Sequence, residues 1–325
     1  MSKRSKHSFA VKKNKAIVIS LLSLLIVLVV LTMFLSNKPY SINQQQSTSS
    51  TPQNTLILFD APPTINASQI NFKAIATEII PNNSVVLDAH WGHWVKMLIS
   101  TNALNESILK LALNASGEQL TPYEINILNG TSNTNIILNQ SNNEFVLIVM
   151  WSLGINNNNS VINNGKLTHY GGSPSNLAST GGYSPLGTLQ LGKLNLISMN
   201  PAEQSMVWAI TNEVYRPCCD NPTSFPDCNH GAASLGLIEL MASQGANKAA
   251  ILNSLEAFNE FNFPGQYYDD AIFFAAHGVK FSNVAPETLL DYNFSSFTGY
   301  SNVQKYLNKY NLLPLSKGNI SGCGV

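Results

Sequence analysis

Residues Glu144 to Leu153 read EFVLIVMWSL, ten residues whose one charge stands at the first position. Apolar side chains fill nearly every place, so neither a period of 3.6 nor a period of 2 emerges, and the segment is buried on all sides. Its length favours a central buried helix; a buried strand is the alternative. Working outward, Thr121-Pro122-Tyr123-Glu124 forms a capping box with proline at the first helical position. Asn200-Pro201-Ala202-Glu203 repeats the device and opens a helix to about Tyr215. Asn247 to Phe261 and Gln266 to Ala276 read as two more helices, the second closed by Gly278 just beyond His277. Further helix signals lie at 92–100 and 103–113. Strand candidates are few: Leu56 to Phe59, Asn135 to Leu138 and Leu191 to Ile197. The fold class is therefore mainly α, a mostly helical domain with a few short strands.

Ahead of that domain lies a segment of another kind. Residues 16–35, AIVISLLSLLIVLVVLTMFL, carry no charge over twenty positions. At ~1.5 Å per residue they reach ~30 Å, the thickness of a hydrocarbon core. Six basic residues precede them in 1–15, and only Lys38 lies just after. The positive-inside rule then keeps the N-terminal tail in the cytoplasm and sends residues 36–325 out. The run is longer than the apolar region of a cleaved signal peptide and lacks a small-residue cleavage site, so it reads as an uncleaved signal anchor. Residues 36–54 are rich in Ser, Gln, Thr and Asn and bury too little apolar surface to fold, which makes them a flexible linker. The domain proper spans 55–325.

The 325-residue chain has zero formal net charge, but the sum hides a split. Beyond residue 38 there are eleven basic and eighteen acidic residues, a net of −7. Phosphate binding needs a basic face, so nucleic acid is not an expected partner. Nine N-x-S/T sequons, among them Asn66, Asn158 and Asn293, permit glycosylation in an exported domain without requiring it. The loop-rich stretch from Gly154 to Gly192 holds the pairs Gly171-Gly172 and Gly181-Gly182. Neither pair has dinucleotide or Walker spacing, so no nucleotide cofactor is expected.

The chemistry concentrates in Pro217 to Gly231, PCCDNPTSFPDCNHG, with three of the four cysteines and one of the six histidines. A helix follows from about Asn229 to Gln244, with Asp227 as its expected N-cap and Gly245 at its end. The helix N-terminus favours a thiolate at Cys228. Three readings stay open. In the first, Cys218, Cys219, Cys228 and His230, with Cys323 from the tail, bind a transition metal. Zn(II), Cu(I) or an iron–sulfur centre all suit such donors. In the second, Cys228 is the nucleophile or redox thiol of an enzyme, with His230 as its base and Cys218 or Cys219 as the resolving thiol. In the third, two disulfides staple a surface domain with no chemistry of its own.

This run, with the upstream YGG and STGGY and the terminal GCGV, resembles the signature of an uncharacterised family of membrane-anchored prokaryotic proteins, PCC-x(5)-F-x-DCNHG. The resemblance implies no particular reaction. It implies that Cys323 belongs with the internal cluster, in a shared site or a shared bridge.

Elsewhere, Asp88-Ala89-His90-Trp91-Gly92-His93-Trp94 places two histidines three apart, which share a face if the segment is helical. The plainer reading buries Trp91 and Trp94 and leaves the histidines at the rim. His169 and His277 stand alone. Asp269-Asp270 reads as a solvated edge, and Glu239 sits among apolar neighbours about two turns beyond His230.

Overall fold

The computed structural model describes residues 58–79, 84–169 and 187–314, all within the unit Ser50–Val325. The basic tail, the span at 16–35, the linker, both glycine pairs and Cys323 lie outside the described residues. Among the described residues, no helix is long and apolar enough to cross a membrane.

A 3-10 turn (Ala67–Gln69) is followed by helix α1 (Phe72–Ile79) and strand β1 (Val85–His90). Helices α2 (Trp94–Ser100), α3 (Glu106–Ser116) and α4 (Pro122–Leu128) lead to strand β2 (Asn135–Leu138). Next come α5 (Asn143–Asn156) and the short α6 (Ser160–Asn164) and α7 (Lys166–His169). The second half holds α8 (Pro201–Glu213), α9 (Asn229–Ser243), α10 (Lys248–Asn262) and α11 (Pro264–Ala276). Short helices α12 (Pro286–Leu289) and α13 (Tyr292–Ser295) precede α14 (Phe297–Lys309). Both capping boxes form: Thr121 with Glu124 opens α4, and Asn200 with Glu203 opens α8.

The centre is a pair of helices buried on every face. In α5 every residue from Phe145 to Asn156 is buried, and in α9 every residue from His230 to Ala242. Two such helices bury each other, and here they touch backbone to backbone. A Cβ on Gly236 would stand 2.2 Å from the Met150 carbonyl oxygen, and one on Gly154 would stand 2.0 Å from that of Ala232. The two glycines let α9 lie directly on α5, which fixes the height and direction of the helix that begins at the cysteines.

Strands β1 and β2 pair antiparallel, Val85 opposite Leu138 and His90 opposite Asn135, with an irregularity between. β2 is the expected strand. β1 is an additional one, and it alternates: Leu87 and Ala89 face the core while Asp88 and His90 are exposed. Residues 58–60 are helical, so the described part of Leu56–Phe59 is not a strand. Leu191–Ile197 is not one either. Leu191 and Gly192 both take positive φ, 41° and 69°, which turns the chain, and Leu194 alone bridges to Asn157. His90 ends β1 while His93 precedes α2, so the two histidines share no helix. Trp91 and Trp94 are buried with ring centroids 5.9 Å apart.

A second apolar cluster joins α1, α11, α13 and α14 through Ile75, Ile79, Phe273, Phe294, Val303 and Tyr306. It corrects one expectation outright. Asp269 and Asp270 form no solvated edge; they are 1% and 0% exposed. Adjacent helical residues do point apart, but α11 is covered on both sides. Asp269 accepts hydrogen bonds from Tyr300 and Gln304 of α14. Neither oxygen of Asp270 meets a hydrogen-bond donor. Burial, then the neighbouring Asp269 and Asp291, push its carboxyl well above the usual range.

Two outcomes follow from this packing. Gly236→Ala drives a methyl into the α5 backbone and is expected to cost roughly 1–3 kcal/mol or more, read from denaturant unfolding. Folded Asp270 keeps a proton that the unfolded chain sheds above its own carboxylate pKa, so it costs stability as pH rises from there. Asp270→Asn is therefore expected to change little at pH 4. It should stabilise increasingly towards pH 8, by at least ~1 kcal/mol, in melting curves across that range.

Candidate metal centre

The chain leaves α8 and turns back on its end: Thr223 N–H donates to Val214 O at 2.8 Å, and Ser224 N–H to Thr211 O at 2.8 Å. The loop between, residues 214–228, has no regular structure and wraps around one side chain. Arg216 is fully buried. Its Nε donates to Cys228 Sγ at 3.2 Å. Nη1 donates to the carbonyls of Asn221 at 2.7 Å and Pro222 at 2.9 Å. Nη2 donates to Phe225 O at 3.2 Å and to Asp227 Oδ1 at 2.7 Å. A guanidinium has five N–H groups, and all five are used. Asn221 Nδ2 holds the other Asp227 oxygen at 2.8 Å. Room for the guanidinium comes from Gly231, where a Cβ would stand 2.6 Å from Arg216 Cζ.

Because the Asp227 carboxylate is turned to Arg216, it does not cap α9 as expected. Cys228 does: its Sγ accepts the Gly231 N–H at 3.3 Å. That sulfur thus receives two N–H groups, one from a cation and one from a helix N-terminus.

Cys218, Cys219 and Cys228 are free thiols, the first exposed and the others partly buried. Their sulfurs all lie within 4.8 Å of one another, with Cys218 and Cys228 at 3.7 Å. Adjacent cysteines both reach the group because the chain turns sharply at Arg216–Cys219, where Cys219 N–H meets Arg216 O. From outside, the start of α14 pins the turn. Phe297 N–H donates to Cys219 O at 3.0 Å, and Thr298 donates through N at 2.8 Å and Oγ1 at 2.9 Å to the Asp220 carboxylate.

The three thiols share hydrogen bonds, and Cys228 is the one whose surroundings most favour a thiolate. Hydrogen bonds from Cys218 and Cys219 pull Cys228 well below the ordinary thiol value; burial opposes, and the Arg216 cation assists. Cys218 is pushed far up, chiefly by its hydrogen bonds to Cys219 and Cys228. At Cys219 the bond to Cys218 pulls down, but the bond to Cys228 and burial outweigh it and raise the thiol to about 11.

His230, expected as a fourth ligand or a base, is buried outside this group, its ring centroid 4.6 Å from that of Phe263. Burial lowers its pKa to about 4, against the pull of Cys228, so the ring is neutral. Glu239, farther along α9, is a structural tie. Its Oε2 accepts from Asn157 Nδ2 at 2.7 Å, and Asn157 Oδ1 in turn receives Leu196 and Ile197 N–H. Burial holds its carboxyl well above the usual range, against the hydrogen bonds from Asn157 and Asn159.

The residue missed in the sequence is Arg216. Its signal was rarity: it is one of two arginines in the chain, the other being Arg4, and it stands two places before the cysteine pair.

Arg216→Leu leaves three carbonyls, a carboxylate and a thiolate without their donor. It is expected to cost roughly 3–5 kcal/mol in unfolding experiments. In whatever fraction folds, loss of the cation should move iodoacetamide labelling of Cys228 to higher pH.

This chain matches no family model, no curated protein and no solved structure.

Proposed function

We propose that this is a membrane-anchored protein that binds one transition-metal ion through Cys218, Cys219 and Cys228, with Cys323 closing the site. Its role is metal handling or electron transfer. The observation that carries the reading is the convergence of three free thiols on one point. A sulfur tetrahedron with bonds of ~2.3 Å has edges of ~3.8 Å. The Cys218–Cys228 separation is 3.7 Å. Three sulfur donors suit a soft or borderline ion such as Zn(II) or Cu(I). An iron–sulfur cluster fits less well, because it distributes its thiolates over several irons.

Cys323 is within reach of the site by chain length. Helix α14 starts beside Cys219 and its thirteen residues carry the chain away by ~20 Å. The nine residues from Pro314 to Cys323 can span ~30 Å back. The anchor rests on the apolar run at 16–35, and the basic flank before it supports an extracytoplasmic domain. Handling rather than stapling is favoured because Arg216, not an ion, organises the ligand loop.

The test is to purify the full-length chain without chelator and to measure bound metals and thiols together. One equivalent of a transition metal is expected, lost in Cys228→Ser while the fold persists. No metal beside fully titratable thiols at Cys218, Cys219 and Cys228 overturns the reading.

A further inference from the structure

We infer that Cys218 and Cys228 are a dithiol–disulfide couple that gates the metal site: a small-molecule disulfide oxidises the pair, and the new bridge releases the ion. The inference rests on the metal reading above and adds its regulation.

Geometry selects this pair. Cys218 and Cys219 are adjacent, and a bridge between neighbours closes a strained ring. Cys219 is also tethered through its carbonyl to Phe297 N–H at 3.0 Å. Cys218 is the exposed member, so an incoming disulfide meets it first. Its sulfur lies 3.7 Å from that of Cys228, and closure to about 2.05 Å is a side-chain movement. Cys228 accepts N–H groups from Arg216 and Gly231, donors that fit a sulfur carrying charge and ready to attack.

The exchange balances in two steps. The Cys218 sulfur, as the ion-bound thiolate or, in the metal-free site, after giving up its proton to water, attacks one sulfur of R–S–S–R, forming a mixed disulfide and expelling RS⁻. The Cys228 thiolate then attacks the Cys218 sulfur; the Sγ–Sγ bond forms, the mixed bond breaks and a second RS⁻ leaves. Two electrons pass from the cysteines to the small disulfide, which departs as two thiols after taking up two protons. In the metal-free site one of those protons comes from Cys218 and the other from water; when the thiolates were bound to the ion, both come from water. Two of the four proposed ligands are then consumed, and Cys219 with Cys323 is too small a donor set to retain the ion.

The full-length chain is loaded with one equivalent of Zn(II) and exposed to oxidised and reduced glutathione at a series of ratios. Released zinc is followed with a chromogenic chelator, and bridges are assigned by peptide mapping. One zinc released per Cys218–Cys228 bridge is expected, reversed by excess reduced glutathione and renewed zinc. In the metal-free chain, Cys219→Ser and Cys323→Ser should still form the bridge, whereas Cys218→Ser should not. Zinc retained after the bridge forms, a bridge mapped to another pair, or no bridge at any ratio overturns the gate and leaves the metal site standing. Failure of the reduced chain to bind either Zn(II) or Cu(I) overturns the metal reading, and the gate with it.

Discussion

The guanidinium of Arg216 is the one group on which the cysteine site depends. Buried cations are costly unless every donor is met by an acceptor and the charge is paired. Here three carbonyls, one carboxylate and one sulfur meet the five N–H groups. The arrangement works in both directions. The loop has no ladder of its own to satisfy its carbonyls at Asn221, Pro222 and Phe225, and Arg216 supplies what a helix or sheet would have supplied. The same group sets Cys228 against the start of α9 and leaves a positive charge beneath the thiolates.

The wider fold turns that local order into a rigid site. α9 cannot slide, because Gly236 and Gly154 place its backbone against that of α5. The turn at Cys219 cannot swing outward, because Phe297 and Thr298 hold it from α14. Ligands positioned in this way lose little further freedom when an ion arrives, so affinity is not spent on ordering the loop. Small zinc domains work the other way, since their ion supplies the folding free energy. A site assembled by an arginine would stay assembled with or without an ion, as the proposed metal handling would require.

Much of the helical frame was legible in the sequence, because it is written in local chemistry. The boxes at Thr121 and Asn200 mark helix starts through bonds between residues three apart. The run from Glu144 had no polar face, and a helix with no polar face has to be central. Readings that depended on what lies opposite a residue fared differently. Asp269 and Asp270 looked solvated because charge usually is, and only the packing of α14 and the neighbourhood of Asp291 reverse that. Asp227 looked like an N-cap because nothing local shows an arginine eleven residues earlier claiming its carboxylate. The cysteines were visible as a cluster. Which of them converge was not, since that depends on the sharp turn before Cys219 and on the hydrogen bonds by which Phe297 and Thr298 hold it.

Charge balance narrows what the site can accept. With one thiolate on Cys228, the set of Arg216, Asp227 and the three cysteines carries a single net negative charge. A divalent ion that displaces the protons of Cys218 and Cys219 brings two positive charges in and sends two out, so the enclosed charge does not change. A monovalent ion on the same three thiolates leaves one more negative charge beside a pocket in which desolvation is already felt by every group. The buried arginine thus does two things at once: it fixes where the sulfurs sit, and it sets the charge that a metal among them has to match.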